Sequence, residues 1–184
     1  MRLATWLMAL LLLGACGSSG GQPTDLGGPD TTPQGFKEDP RSPGASVYLT
    51  VDATDPTAPV ATLWATQLGP VFGLALQLKL DSTRLAATSP KAEPWLGPDA
   101  PKAARYLVVA RTGAVSIGAV RRGPTAGEQS IAAPVKLATI PLRVVAEGQS
   151  RLEIADLQVR RSDGKFVQVT SAGGTLTLSG GGAP

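Results

Sequence analysis

The sequence has no histidine, a single cysteine and only 4% aromatic residues among its 184 residues. Without histidine, the chain cannot form Ser-His-Asp or Cys-His catalytic arrangements or histidine-ligated metal centres. A single cysteine excludes a disulfide within the chain and a zinc site built from several cysteines. The formal net charge of +3 is small and scattered, which argues against a nucleic-acid-binding protein. These absences favour a non-catalytic binding or adhesion role.

The single cysteine stands at the end of a short apolar segment. A positive charge at Arg2 precedes the apolar run 3–13, which is shorter than the roughly 20 residues needed to span a bilayer. A short apolar run behind a positive charge, ending in small residues, predicts a secretory signal peptide. The sequence Leu-Gly-Ala-Cys at 13–16 resembles the lipobox of bacterial lipoproteins. The resemblance implies cleavage between Ala15 and Cys16 and acylation of Cys16, with palmitate as a typical fatty acid.

An ordinary signal peptide, with Cys16 at its position by chance, is the alternative interpretation. The lipobox interpretation is favoured because the only cysteine of the chain occupies the one position that the motif requires. Acyl chains would hold the chain at a membrane, since each buried CH₂ contributes about 0.8 kcal/mol. Gly17 follows Cys16, and by resemblance to lipoprotein sorting rules the absence of Asp there indicates the outer membrane of a Gram-negative cell envelope.

Composition divides the chain into four segments. Residues 16–45 are dominated by Gly, Ser, Pro, Thr and Asp, so they cannot bury enough apolar surface to offset the entropy lost on ordering. We therefore expect a signal peptide over 1–15 and a lipidated cysteine with a disordered tether over 16–45. A folded domain is expected over 46–178 and a flexible tail over 179–184.

The segment 46–178 alternates apolar and polar residues with a period of two, which is typical of half-buried strands. The clearest strand places on one face Phe72, Leu74, Leu76, Leu78 and Leu80. Turn signals such as Asp163-Gly164 separate eight or nine such segments, and no helix of ordinary length is indicated. The even spacing predicts an all-β antiparallel sandwich or barrel. Pro141 falls inside a predicted strand, where it cannot donate a ladder hydrogen bond, so we expect an edge or a bulge there.

Four segments resemble the cohesin domain and its relatives, the carbohydrate-binding-module sandwiches. They are the amphipathic strand and following turn at 72–85, the strand at 137–144, the strand ending in the Asp-Gly turn at 157–164, and the closing strand at 173–178. The resemblance covers essentially all of the predicted domain. It implies a nine-stranded jelly-roll sandwich without catalytic residues or cofactors, which docks protein modules or polysaccharide.

In cohesins one sheet carries the docking face, and the resemblance implies which residues point outward on it. The candidate ligand-binding residues are Gln77, Lys79, Arg143, Phe166 and Gln168. We expect an unidentified protein partner on this face, and polysaccharide binding is the alternative. Trp95, in the Pro-rich segment 93–98, is the candidate for stacking on a sugar ring. The competing interpretation has Trp95 closing one end of the sandwich, and we expect Trp64 in the core or at its rim.

The carboxylates do not predict an enzyme or a metal site. Asp52 with Asp55, and Asp156 with Asp163, are the closest pairs in the domain. They fall at predicted strand ends and turns, where Asp caps the backbone. A glycosidase needs two carboxyls facing one cleft, and a calcium site needs about six to eight oxygen ligands. The sequence therefore disfavours hydrolase and calcium-binding functions.

Overall fold

The computed structural model describes residues 35–97, 104–122 and 127–178. Within these ranges the chain forms strands joined by turns and loops, and it contains no helix long and apolar enough to cross a membrane. Cleavage at Ala15, acylation of Cys16 and the C-terminal tail concern residues outside these ranges. The predicted all-β sandwich is confirmed.

Fifteen strands lie in the described ranges, several of them only two to four residues long. In chain order they are β1 (Gly35–Glu38), β2 (Ser46–Asp52), β3 (Val60–Thr66), β4 (Leu68–Val71), β5 (Gly73–Leu80), β6 (Leu85–Ala87), β7 (Lys91–Ala92), β8 (Ala104–Arg111), β9 (Ala114–Arg121), β10 (Gln129–Ile131), β11 (Val135–Val144), β12 (Gly148–Arg160), β13 (Phe166–Val167), β14 (Thr170–Ala172) and β15 (Gly174–Leu178).

The strands form two large sheets. The front sheet has the order β1-β15-β12-β5-β9-β8, with β13 paired to β12. The back sheet has the order β14-β2-β3-β11-β6, with β7 paired to β11, and β4 and β10 form a separate small ribbon. Every strand pair in the described residues is antiparallel except β14 with β2, which is parallel.

The core lies between the inner faces of the two sheets. Alternate residues of β5 enter it, because successive side chains of a strand point to opposite faces. The front sheet contributes Leu74, Leu76, Leu78 and Leu80, and the back sheet contributes Val47, Leu49, Leu63, Ile140 and Leu142. Burial of each large apolar side chain contributes about 1.5–3 kcal/mol, so these rows stabilise the sandwich without a disulfide.

Pro141 lies in β11, an interior strand of the back sheet, opposite a gap in the neighbouring edge. On that side β7 pairs with residues 138–139 of β11 and β6 pairs with residues 142–144. Between them, the carbonyl of Pro141 accepts a hydrogen bond from the N–H of Thr88 (2.8 Å). Pro141, which has no N–H, therefore stands where no edge strand needs a hydrogen bond from it. The loss of a ladder hydrogen bond that a proline usually causes inside a sheet is thus avoided.

The first strand begins inside the segment that the sequence analysis assigned to the tether. β1 pairs with β15, and Phe36 stands opposite Leu176. Phe36 also packs against the core from the sheet edge. The segment around it has one large apolar side chain and many turn formers, so no period-two pattern marks this strand. The described part of residues 16–45 thus includes an edge strand of the front sheet.

Candidate functional site

The outer surface of the front sheet carries several small side chains between larger ones. We call the outward residues of β8, β9, β5 and β12, together with Phe166, the front face. One row across the four strands consists of Arg105, Val120, Gly73 and Arg160. The next row consists of Leu107, Gly118, Ala75 and Gln158. Gly73 in the first row, and Gly118 and Ala75 in the second, allow another molecule to approach the sheet closely.

Three large apolar side chains are exposed at one end of the front face. Leu107 is 60% exposed, Phe166 is 58% exposed and Val120 is 43% exposed. Among the described residues, Val145 is the one other large apolar side chain that is comparably exposed. Hollows of about 380 Å³ and 450 Å³ adjoin Val120. Large apolar side chains concentrated on one face are typical of an interaction surface.

Cations lie among these apolar side chains. The guanidinium of Arg160 lies 4.4 Å from the centroid of the Phe166 ring, within cation–π range. Arg105 is exposed at the other end of the same row. Farther along the face, the exposed Lys79 of β5 stands opposite Glu153 of β12. The pairing of β12 with β13 continues the first row from Arg160 to Phe166, so exposed apolar side chains and cations alternate along this part of the front face.

The structure brings together three of the residues that the sequence analysis selected. Gln77 and Lys79 point outward from β5 on the front face, and Phe166 lies at its border. Gln168 is exposed in the link between β13 and β14, two strands that belong to different sheets. Gln168 is therefore placed at the side of the sandwich.

Arg143 lies on the back sheet, so its predicted grouping with Gln77 and Lys79 is wrong. It is exposed on β11 and stands opposite Ala86 of β6. The prediction gave its outward orientation correctly but assigned its strand to the other sheet. Pairing between distant segments decides that assignment, and the period-two pattern of a single strand carries no information about it.

Trp95 packs into the core at one end of the sandwich. Its side chain is 8% exposed, so it does not offer an open ring for stacking on a sugar. The next residue is fixed by two bonds: the N–H of Leu96 donates to the hydroxyl of Tyr106 (3.0 Å), and Nη1 of Arg121 donates to the carbonyl of Leu96 (2.6 Å). This placement agrees with the interpretation in which Trp95 closes the sandwich.

Carboxylates of the domain are engaged in turns. Oδ1 of Asp52 accepts bonds from the N–H and the hydroxyl of Thr54, and Oδ1 of Asp55 accepts the same pair from Thr57. These hydrogen bonds, chiefly those from the threonine hydroxyls, lower the pKa of both carboxyls. Asp163 accepts the N–H of Lys165, which lowers its pKa in the same direction. In the described ranges, no group of three or more acidic, cysteine or histidine side chains is placed to hold a metal ion.

Sequence reasoning missed Leu107 and Val120, although a signal for them exists. The segment from Tyr106 to Ala110 is apolar at successive positions, so β8 presents apolar residues on both of its faces. A strand of an antiparallel sandwich usually alternates apolar and polar residues when one face is solvated. Loss of that alternation on an edge strand indicates a second apolar surface.

Comparison with known proteins places this fold among cohesin modules. No protein-family model matches the sequence, and no curated protein matches it. The sixth cohesin of scaffoldin B from Acetivibrio cellulolyticus, solved with a Cel5 dockerin, is 14% identical with a TM-score of 0.59. That match covers 74% of this chain and 99% of the cohesin chain.

Two further solved structures extend the comparison. A type I cohesin–dockerin complex from Clostridium thermocellum matches with 11% identity and a TM-score of 0.57, covering 77% of this chain and 97% of that chain. A non-cellulosomal cohesin from the archaeon Archaeoglobus fulgidus matches with 12% identity and a TM-score of 0.55, covering 74% and 92%. The chain therefore has the fold of cohesin modules.

Proposed function

We propose that the front face docks a protein module, and that the domain is a non-catalytic adaptor held at the cell envelope by acylated Cys16. The exposure of three large apolar side chains on one face, Leu107, Val120 and Phe166, is the observation that carries the docking proposal. Apolar side chains that stay in contact with water do not stabilise the domain. A partner that covers them removes their apolar surface from water, which is favourable.

The fold supports a protein as the partner. Two of the matching cohesin structures are described as complexes with dockerins. A dockerin-like module is therefore the partner class that we propose for this chain. Arg105 and Arg160 stand in the same row as the exposed Val120 and Phe166, which would favour a partner that combines acidic and apolar groups in its contact surface.

Anchoring is supported by the sequence around Cys16. The lipobox-like residues 13–16 and the following Gly/Pro/Ser-rich segment would place the domain beyond the headgroups of a membrane, with the outer membrane as the proposed location. The alternative function, polysaccharide binding, loses its first candidate residue because Trp95 is buried.

Paired variants on the two sheets test the docking proposal. The full chain with Leu107→Ser and Val120→Ser should retain its fold, because both side chains are substantially exposed. Its affinity for a partner recovered with the wild-type chain from native membranes should fall by roughly tenfold or more, since apolar anchors at the centre of an interface contribute most of its energy.

Arg143→Gln is the matched control, because Arg143 is exposed on the back sheet. This variant should bind the recovered partner like the wild type in surface plasmon resonance. Equal binding by the double variant and the wild type would rule out the front face as the docking surface.

A further inference from the structure

The outer surface of the back sheet carries an ordered aromatic pair that the docking proposal does not use. Tyr48 of β2 and Trp64 of β3 occupy paired positions and point away from the core. Their ring centroids are 6.5 Å apart and the ring planes differ by 13°, so the two rings lie nearly parallel. The sequence analysis expected Trp64 in the core or at its rim, whereas the structure places it on this outer surface.

A side-chain hydrogen bond fixes the orientation of the Trp64 ring. Its Nε1–H donates to the hydroxyl of Thr50 at 3.0 Å, which is a diagonal contact across β2 and β3. The guanidinium of Arg41 lies 3.6 Å from the centroid of the Tyr48 ring, and Tyr48 is only 5% exposed. Arg41 thus covers the Tyr48 ring, which packs beside Trp64, while Trp64 remains partly exposed. A ring held in place loses little conformational entropy when a ligand packs on it.

A cation stands at the exposed ring. The ammonium of Lys136, on the neighbouring strand β11, lies 5.7 Å from the centroid of the Trp64 ring. Lys136 is exposed and forms no ion pair with another described residue. A neutral ligand that covers the ring would partly desolvate this ammonium without pairing it, which costs free energy. A ligand with an anionic group beside its apolar face would pair with it instead.

Hydroxyl groups line the same surface. Thr50, Thr62 and Thr139 form a row across β2, β3 and β11, next to the row that contains Trp64. A cleft of about 560 Å³ adjoins Lys136 and continues the surface beyond the sheet. Glu93 also lines this cleft, and its Oε1 accepts a hydrogen bond from the hydroxyl of Thr139 (3.3 Å). A carboxylate of a ligand would therefore be attracted to Lys136 and repelled by Glu93.

We propose that this surface of the back sheet, centred on Trp64 and Lys136, binds an acidic polysaccharide. The C–H face of a pyranose ring packs on the Trp64 ring, a uronate carboxylate pairs with Lys136, and sugar hydroxyls exchange hydrogen bonds with the threonine row. A sheet surface that continues into a cleft beyond Lys136 suits an extended chain of sugars better than a single sugar. The site lies on the sheet opposite the front face, so it is independent of the protein-docking proposal.

Affinity electrophoresis in native gels containing polygalacturonate tests this site. The full chain, purified in non-ionic detergent, should be retarded by polygalacturonate and much less by neutral dextran. Trp64→Ala should weaken the retardation by roughly tenfold, the order expected for loss of a large aromatic contact. Trp64→Phe keeps a ring and should retain most of the binding, which separates loss of the contact from a disturbed fold.

Two variants that each remove one positive charge separate the site from general attraction to a polyanion. Lys136→Gln should weaken retardation several-fold, whereas Lys37→Gln, at an exposed residue of β1 in the other sheet, should leave it unchanged. If the two variants weakened the retardation equally, the interaction would depend on the net charge of the protein and not on this site, and the proposal would be overturned. Absence of retardation, or equal retardation by dextran, would also overturn it. If the wild type did not bind polysaccharide and Trp64→Ala no longer bound the recovered protein partner, the surface would be assigned to protein binding instead.

Discussion

Two consecutive glycines determine how closely the last strand approaches its neighbours. A Cβ atom at Gly173 would overlap the backbone carbonyl of Leu152, and one at Gly174 would overlap the ring of Phe36. Neither glycine has a positive φ, so the requirement is for space and not for an unusual backbone conformation. The absent side chains let β15 fit between β12 and β1 at this point.

Gly173→Ala should therefore destabilise the domain. The contact at Gly173 is with backbone, which cannot rotate away, so we expect a loss of about 1–3 kcal/mol in the free energy of unfolding. Urea denaturation followed by tryptophan fluorescence measures it. Gly69→Ala is the control, because a Cβ there meets nothing within 4 Å and the φ of Gly69 is not positive. Similar denaturation midpoints for the two variants would show that the crowding at Gly173 has no energetic consequence.

At the scale of elements, the edge strand β1 is held by one apolar contact and one ion pair. Phe36 packs over Gly174, and the residue that follows the strand, Asp39, pairs with Arg151 of β12. Nη1 of Arg151 donates to Oδ1 of Asp39 at 2.7 Å, while Nη2 donates to Oδ2. The N–H of Asp39 also donates to the carbonyl of Gly173 (3.0 Å). These contacts compensate for the low apolar content of the strand.

Asp39→Asn should lower stability in a pH-dependent manner. The hydrogen bond from Arg151 holds the pKa of Asp39 below its ordinary value of 3.8. Because the pKa of Asp39 is lower in the folded state than in the unfolded state, the pair contributes fully to stability above the unfolded-state pKa. The contribution is lost as the pH falls through the folded-state pKa. Both side chains are partly exposed, so we expect a difference of at most about 1 kcal/mol at neutral pH.

Urea denaturation of wild type and Asp39→Asn at several pH values measures this linkage. The difference between them should shrink as the pH falls below 3.8, the ordinary pKa of the carboxyl, and should disappear once Asp39 is protonated in the folded state. Glu147→Gln, at an exposed carboxylate in the loop before β12, serves as the control and should stay close to the wild type throughout. A difference for Asp39→Asn that persists unchanged in acid would exclude the ion pair as its cause.

At the scale of the whole molecule, local patterns in the sequence predict faces but not neighbours. The alternation in β5 predicted both the buried leucines and the outward Gln77 and Lys79. The sheet assignment of Arg143 failed because β11 joins the back sheet through pairing with β3 and β6, and their register depends on contacts far apart in sequence. β1 was missed because its stability comes from Gly174 and Arg151, more than a hundred residues downstream.

Trp64 and Trp95 illustrate the same limit for binding residues. Trp64 follows the opposite phase from Ala61, Leu63 and Ala65, so the alternation of β3 already indicates that its side chain points outward. Its neighbour Lys136 could not be predicted, because that contact requires the pairing of β3 with β11. Trp95 lies in a loop without periodicity, and only packing against the core decides its burial.

The proposed anchor makes a prediction for the whole molecule, because attachment and folding involve separate parts of the chain. The apolar core that the described residues form between the two sheets is built from residues between Val47 and Leu178, far from Cys16 in the sequence. Cys16→Ser should therefore move the protein from the membrane fraction to the soluble fraction and abolish labelling with radioactive palmitate. Its thermal unfolding transition should match that of the wild type, since the core is unchanged.

Ser18→Ala, two residues from the anchor, is the control and should remain labelled and membrane-bound. Retention of the label and of membrane attachment in Cys16→Ser would contradict the lipobox interpretation. The docking proposal rests on other residues and would not be affected.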